Sequence, residues 1–323
     1  MNDPRSADVP NLSDLLDGAP TNWGRWGADD EVGAVNFLGA EEILAGASCI
    51  RKGATFTLQL PIGNPDGDPI WPGRAAPQRF SVIDRSHFVY DRVPPFPGGI
   101  EYADDYLSLF LQATTHCDAL GHAWYGDHLW NGYPAESTIG RLDKASILPL
   151  AARGIVGKGI LLDVARWRGV DFLEPGATFD HEDLQECAAS QGAQIRPRDI
   201  LVIRTGWLRR FFELGSRGFY RKFNEPGLTY SLPLVEWFQA QEIPVLVTDT
   251  MANEVTIDPQ SGAALPLHAA LMRNLGVVFV EMTWLEELAR DCDEDGQWTF
   301  LFAAAPLKVT GATGSPANPI AIK

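Results

Sequence analysis

Only six histidines occur in the 323 residues, and three of them, His116, His122 and His128, fall in one short stretch that also holds Asp118 and Asp127. In His116-x-Asp118 the two-residue period of a strand turns both side chains to one side, so an imidazole nitrogen and a carboxylate oxygen can converge on one cation. That mixed donor set suits Zn²⁺ or Mn²⁺. His122 follows the turn-like Ala119-Leu120-Gly121, a piece that would carry the chain off the strand and swing a third side chain back over the ion. Its expected role is proton transfer, because the ordinary imidazole pKa lies close to neutral pH. Each histidine alone reads as a polar residue at a strand end, and H-x-D alone is a weak pattern. The cluster, set beside a hydrophobic opposite face, favours function. Cys117, between the two candidate ligands, should face the other way and serve as a small buried apolar residue. G-x-S-x-G, P-loop, H-E-x-x-H and G-x-G-x-x-G patterns are absent from the sequence, which leaves metal-assisted chemistry.

These residues need a strand to hold them, and Tyr106 to Asp118 has the alternation of one. On that reading Leu107, Leu109, Leu111 and Ala113 face the core, while Tyr106, Ser108, Phe110, Gln112, Thr114, His116 and Asp118 form a face that becomes more polar toward its end. Upstream, Ala40 to Ser48 reads as a helix, Thr55 to Leu60 as a strand, and Asn64 to Arg79, punctuated by Pro and Gly, as a long loop that could border a pocket. Downstream, the apolar runs Gly159 to Val164 and Ile200 to Thr205 flank a helix over Glu182 to Ser190, a β-α-β passage. Helices at Leu232 to Gln241 and His268 to Asn274 lead into the runs Ile243 to Thr248 and Val277 to Glu281. Alternation of this sort predicts an α/β fold, a single compact domain with a mixed β-sheet flanked by helices. Residues 1–20 read as a mobile N-terminal arm and 21–323 as the domain. Trp124, Tyr125, His128 and Trp130 follow the cluster closely, and Trp124 and His128 are the candidates for lining a substrate pocket.

A net charge of −16 argues against nucleic acid or an anionic membrane as a partner. The four scattered cysteines, Cys49, Cys117, Cys187 and Cys292, contain no C-x-x-C pair and fit reduced thiols. The N-terminus lacks the apolar core of a signal peptide, and no run approaches the roughly 18 apolar residues that cross a bilayer. A cytoplasmic protein acting on a small-molecule substrate is expected. Arg25 and Arg204 could hold a substrate carboxylate, although structural salt bridges account for most such arginines.

The stretch Gln112-Ala-Thr-Thr-His116-Cys-Asp118-Ala-Leu-Gly-His122 resembles the signature H-x-G-T-H-x-D-x-P-x-H of the metal-dependent cyclase family, which includes bacterial kynurenine formamidase and isatin hydrolase. Similar segments run along most of the chain: Asn22-Trp-Gly-Arg-Trp-Gly27, Asp199 to Trp207, Thr248-Asp-Thr-Met-Ala-Asn-Glu254 and Gly311-Ala-Thr-Gly-Ser-Pro316. The resemblance implies a metal-activated water that attacks a carbonyl carbon, with metal held at the positions of Gln112, His116 and Asp118 and protons moved by His122. A later pair, His268 and Glu281, would serve a second metal or a proton relay. Departures from the signature are Gln112 for the first His, Thr114 for Gly and Leu120 for Pro. A Gln carbonyl is a neutral, weaker ligand than imidazole and favours a harder ion or a single occupied site. Hydrolysis of an amide, lactam, formamide, ester or lactone is the expected reaction. A polyketide-type cyclase or dehydratase, and a non-catalytic metal- or ligand-binding member, are the alternatives. The resemblance also implies a swivelling β/α/β core and a homo-oligomer.

Overall fold

Four apolar runs, each buried along its length, set the centre of the fold, because a strand covered on both faces needs a continuous hydrophobic stretch rather than alternation. In the computed structural model, which describes residues 9–323, the strands are β1 (Thr55–Thr57), β2 (Gln78–Ile83), β3 (Asp104–Ser108), β4 (His116–Asp118), β5 (Ile155–Asp163), β6 (Thr178–Phe179), β7 (Ile200–Arg204), β8 (Gly227–Leu228), β9 (Val245–Thr248), β10 (Val278–Glu281), β11 (Thr299–Ala304), β12 (Gly314–Pro316) and β13 (Ile320–Ile322). Nine form one mixed sheet in the order β1-β13-β11-β5-β7-β9-β10-β4-β12. The central β5, β7, β9 and β10 run parallel, and antiparallel strands extend the sheet on both sides.

Parallel neighbours require crossovers, and the expected helices supply them: His181–Ser190 between β5 and β7, Leu232–Ala240 between β7 and β9, and His268–Asn274 between β9 and β10. Asp180 starts the first by accepting hydrogen bonds from the amides of Glu182 and Asp183. Ser231 caps the second, with Pro233 in its first turn. The third is a π-helix, wound wider than an α-helix, and it begins at a candidate site residue.

The expected strand from Tyr106 to Asp118 is two elements. Asp104–Ser108 pairs with β2 in a separate two-stranded ribbon, a turn closed by the Ala113 amide on the Phe110 carbonyl follows, and only then does His116–Asp118 enter the main sheet. Leu107 is 44% exposed and Leu109 and Leu111 are half-buried, so of the four residues assigned to the core only Ala113 is buried. Alternation specifies faces only while the chain stays in one sheet, and it cannot mark where a strand leaves. The loop before β2 runs as expected until Gln78.

Residues 1–8, the first part of the expected arm, lie outside the described residues. Beyond them Leu12–Leu15 is a single helical turn, Leu16 is buried, and the Leu15 carbonyl accepts a hydrogen bond from Tyr230 Oη. Among the described residues no helix is long and apolar enough to cross a membrane. All four cysteines are free, and three are buried. Beside the main core a second cluster gathers Trp207, Phe211, Phe219, Met251 and Met282, with Trp71 and Trp284 packed against it. It backs the site described next.

Candidate metal centre and substrate cavity

β4 sits between β10 and β12, and this placement builds the site. In register, Glu281 of β10 faces His116 and Gly314 of β12 faces Asp118. His116 Nε2 lies 3.1 Å from Glu281 Oε2 and 3.6 Å from Asp118 Oδ1. Ligand atoms of His116, Asp118 and Glu281 all fall within 4.8 Å of one another, and all three side chains are buried.

The protonation pattern identifies what is needed between them. His116 Nδ1 donates to the Thr114 carbonyl at 2.6 Å, which leaves the Nε2 lone pair aimed at two carboxylates. His116 Nε2 and both oxygens of Asp118 are buried without a hydrogen-bond partner. Buried acceptors facing one another are repulsive unless a cation lies between them. Burial lowers the His116 pKa, so its ring is neutral, the form that binds metal. Burial, reinforced by the Asp118 charge, pushes the Glu281 carboxyl well up, as expected where carboxylates converge. Burial alone would raise Asp118 too, but the imidazoles of His122, His116 and His268 outweigh it and leave that carboxyl lowered. One nitrogen and two carboxylate donors fit a divalent ion.

His268 is oriented toward this group by a residue to which sequence reasoning gave no role. Glu254 accepts hydrogen bonds from the backbone amides of Leu267 and His268, both at 2.7 Å, and pairs with His268 Nδ1 at 2.6 Å. The opposite nitrogen, Nε2, lies 3.5 Å from Glu281 Oε1. Burial tends to lower the imidazole, but the Glu254 carboxylate outweighs it and pushes the pKa up to about 9. The ring held in this way presents Nε2 to Glu281. Asn253 Nδ2 also donates to Glu281 Oε1, at 3.1 Å. Asn253 and Met282 hold φ of 58° and 57°, a left-handed backbone that is costly for side chains of this kind and concentrates at functional sites.

Gln112 is buried, but its amide nitrogen donates to Thr313 Oγ1 at 3.1 Å and lies 3.4 Å from His122 Nδ1. It therefore sits beside His122. Gly314 makes room for it: a Cβ there would come within 2.5 Å of Gln112 Nε2. Burial lowers the His122 pKa, which keeps that ring neutral at pH 7.

Beside this group, on the side of Glu281, opens a cavity of about 280 Å³ lined by His122, Trp124, His268 and Glu281 together with Trp71, Arg74 and Met251. Of the two expected lining residues, Trp124 is present and His128 is not. A bridge between Tyr125 and His128 folds the segment back on itself, and the His128 ring lies against Trp23, 6.4 Å between centroids. Sequence reasoning missed Trp71, Arg74, Asn253 and Glu254. The signal for the first two was weak but present, an aromatic and a cation standing alone in a Pro- and Gly-rich loop. A larger cleft, of about 860 Å³, is lined by Asp163, Arg204 and Glu286. There Arg204 is held by Asp163 at 2.8 Å and Glu286 at 2.7 Å, a structural ion-pair network. Arg25 pairs with Glu242.

The profile of a family described as "Putative cyclase" matches residues 57–255. The chain belongs to this cyclase family. A solved structure described as a novel cyclase is 38% identical, with a TM-score of 0.85 over 94% of this chain and 100% of that one. Isatin hydrolase A from Labrenzia aggregata, bound to benzyl benzoate, shares the fold at a TM-score of 0.58 and 18% identity, covering 87% of this chain and 97% of its own. An isatin hydrolase bound to the product analogue thioisatinate gives 0.58 at 16%, covering 88% and 98%. No curated protein matches the chain. The cyclase-family fold thus agrees with the expected mixed α/β architecture.

Proposed function

We propose that this cyclase-family chain is a metal-dependent hydrolase that opens a C–N or ester bond in a small, cyclic or aromatic substrate. The observation that carries the reading is the convergence of His116, Asp118 and Glu281, all buried, with His116 Nε2 and both Asp118 oxygens unpartnered, beside a cavity that Glu281 and His122 line. Zn²⁺ or Mn²⁺ bound by these three residues would supply Lewis acidity and a water of lowered pKa. His122, neutral and beside Gln112, takes the proton of the attacking water and returns it to the leaving nitrogen or oxygen. Glu254 fixes the His268 ring, which in turn steadies Glu281. Trp71 and Trp124 flank the cavity and suit a flat acyl or aryl group. The names of the isatin hydrolases that share the fold, one of them bound to the product analogue thioisatinate, support a hydrolytic reading of the same kind.

The test is a hydrolysis assay on a formanilide, a lactam and a lactone, with and without a chelator. Turnover of at least one that stops with chelator and returns with Zn²⁺ or Mn²⁺ is the expected result. Turnover indifferent to chelator, or none on any of the three with metal present, would leave the reading unsupported.

A further inference from the structure

Arg74 is the one lysine or arginine among the described residues lining the cavity that Glu281 and His122 enter. Among the described residues its guanidinium makes one hydrogen bond, from Nη1 to the Gln112 carbonyl at 2.7 Å, and no carboxylate is within ion-pair distance of it. A guanidinium carries five N–H donors in a rigid fork, so four are left for something else. The side chain is half-buried, which strengthens any charge interaction it makes. Its charge also reaches the neighbouring group, opposing the burial that raises Asp118 and Glu281 and adding to the burial that lowers His116 and His122.

The loop that carries Arg74 is held in place. Ile70 donates its amide to Tyr220 Oη at 2.8 Å and accepts from the same hydroxyl at 2.6 Å, while the Arg74 amide closes a turn onto the Trp71 carbonyl at 3.1 Å. Trp71 and the guanidinium are therefore presented together, a flat apolar wall beside an unpaired cation. With a net charge of −16, the protein repels anions in general, and an arginine without an ion-pair partner in the cavity beside Glu281 gives an anionic substrate a local reason to bind.

We infer that Arg74 anchors a carboxylate of the substrate, so that the preferred substrates are amides, lactams or esters of small aromatic acids bearing a free carboxylate beside the bond to be cleaved. A carboxylate accepts two parallel N–H bonds from the fork, which fixes the aryl ring against Trp71 and turns the neighbouring carbonyl toward His116, Asp118 and Glu281. This choice of substrate class rests on the hydrolase reading above; the anion site itself does not.

The experiment compares wild type, Arg74→Gln, Arg74→Lys and, as a control on the exposed ribbon, Arg79→Gln. Binding of benzoate and of benzamide is measured by calorimetry on metal-loaded protein, and hydrolysis is followed with 2-formamidobenzoate and with formanilide. Wild type should favour benzoate over benzamide. Arg74→Gln should weaken benzoate binding and raise KM for 2-formamidobenzoate by roughly 10- to 100-fold, the weight of a charged hydrogen-bonded pair. KM for formanilide and kcat should stay within about threefold, Arg74→Lys should recover part of the loss, and Arg79→Gln should match wild type. If neither formamide is hydrolysed yet the benzoate preference is present and disappears in Arg74→Gln, the anion site stands and the hydrolase reading fails. Equal binding of benzoate and benzamide by wild type, or an equal effect of Arg74→Gln on both formamides, overturns the inference.

Discussion

Glu281 stands directly opposite His116 across the β4–β10 pair, with Oε2 and Nε2 3.1 Å apart. Neighbouring antiparallel strands bring directly opposed side chains within a few ångströms, so a sequence separation of 165 residues collapses into one ligand group. The same register on the other edge of β4 places Gly314 against Asp118, so the candidate metal centre is built on β4 and β10 with β12 packed beside it.

The Glu254–His268 pair predicts a distinctive pH response. With Glu254 in place His268 titrates at about 9, against an ordinary value of 6.5. A histidine raised in the fold contributes stability that is fully present below 6.5 and is lost as pH rises toward 9. In Glu254→Gln the hydrogen-bonded carboxylate is gone and only the charges of Glu281 and Asp118 are left to oppose burial, so the imidazole should titrate lower than in wild type and this alkaline loss should shrink. NMR titration of the His268 ring in chelator-treated protein, alongside thermal unfolding from pH 6 to 9, checks both parts. An unshifted His268 would contradict the assignment.

Gly314 and Gln112 should be coupled. Gly314→Ala drives a Cβ to 2.5 Å from Gln112 Nε2 and 3.0 Å from the Cys117 carbonyl, and overpacking of this kind costs about 1–3 kcal/mol. Gln112→Ala removes the more mobile of the two obstacles. The double variant should therefore be more stable than the sum of the single effects predicts, by 0.5 kcal/mol or more on the usual scale of contacting pairs. Strict additivity in denaturant unfolding would show that the two side chains do not meet.

His122 is assigned to protons rather than to metal. His122→Asn should reduce kcat by roughly 10²- to 10⁴-fold while leaving bound metal per chain unchanged. Loss of metal in this variant would move His122 into the ligand set.

At the far edge of the sheet, the fully buried Lys323 side chain bonds Asp291 at 2.7 Å and Asp295 at 2.8 Å. Burial tends to raise both carboxyls, but Lys323 and Lys52 outweigh it and hold them low. Stability from such lowered carboxylates is present above the ordinary value of 3.8 and is lost as pH falls through the folded pKa. Lys323→Met should reduce that acid-side loss without abolishing it, since Lys52 remains bound to both. Unfolding curves between pH 2 and 7 decide the matter.

Much of this architecture was legible in the sequence, and the reasons are physical. Buried parallel strands advertise themselves as unbroken apolar runs, so β5, β7, β9 and β10 and their crossover helices could be placed to within a few residues. The pair His116 and Asp118 was legible because two ligands on one strand obey its period. His128 was misjudged because proximity in sequence to a cluster says nothing once a turn intervenes, as it does at the Tyr125–His128 bridge. Glu254 and Arg74 were missed for the opposite reason. Each acts across a fold-dependent contact, Glu254 on a helix start and Arg74 on the strand-leading Gln112 carbonyl, and no local pattern encodes such a meeting. Leu107 of β3 stays exposed on the ribbon, although its place in the Leu107 to Ala113 alternation imitated a core strand.

The most direct test of the central claim is elemental analysis of protein incubated with Zn²⁺ or Mn²⁺ and freed of excess ion, comparing wild type with His116→Ala, Asp118→Ala and Glu281→Gln. The account predicts about one ion per wild-type chain and substantial loss in each variant, with all four chains folded by circular dichroism. Retention of a full equivalent by the Asp118→Ala chain, or no ion in wild type, would contradict it.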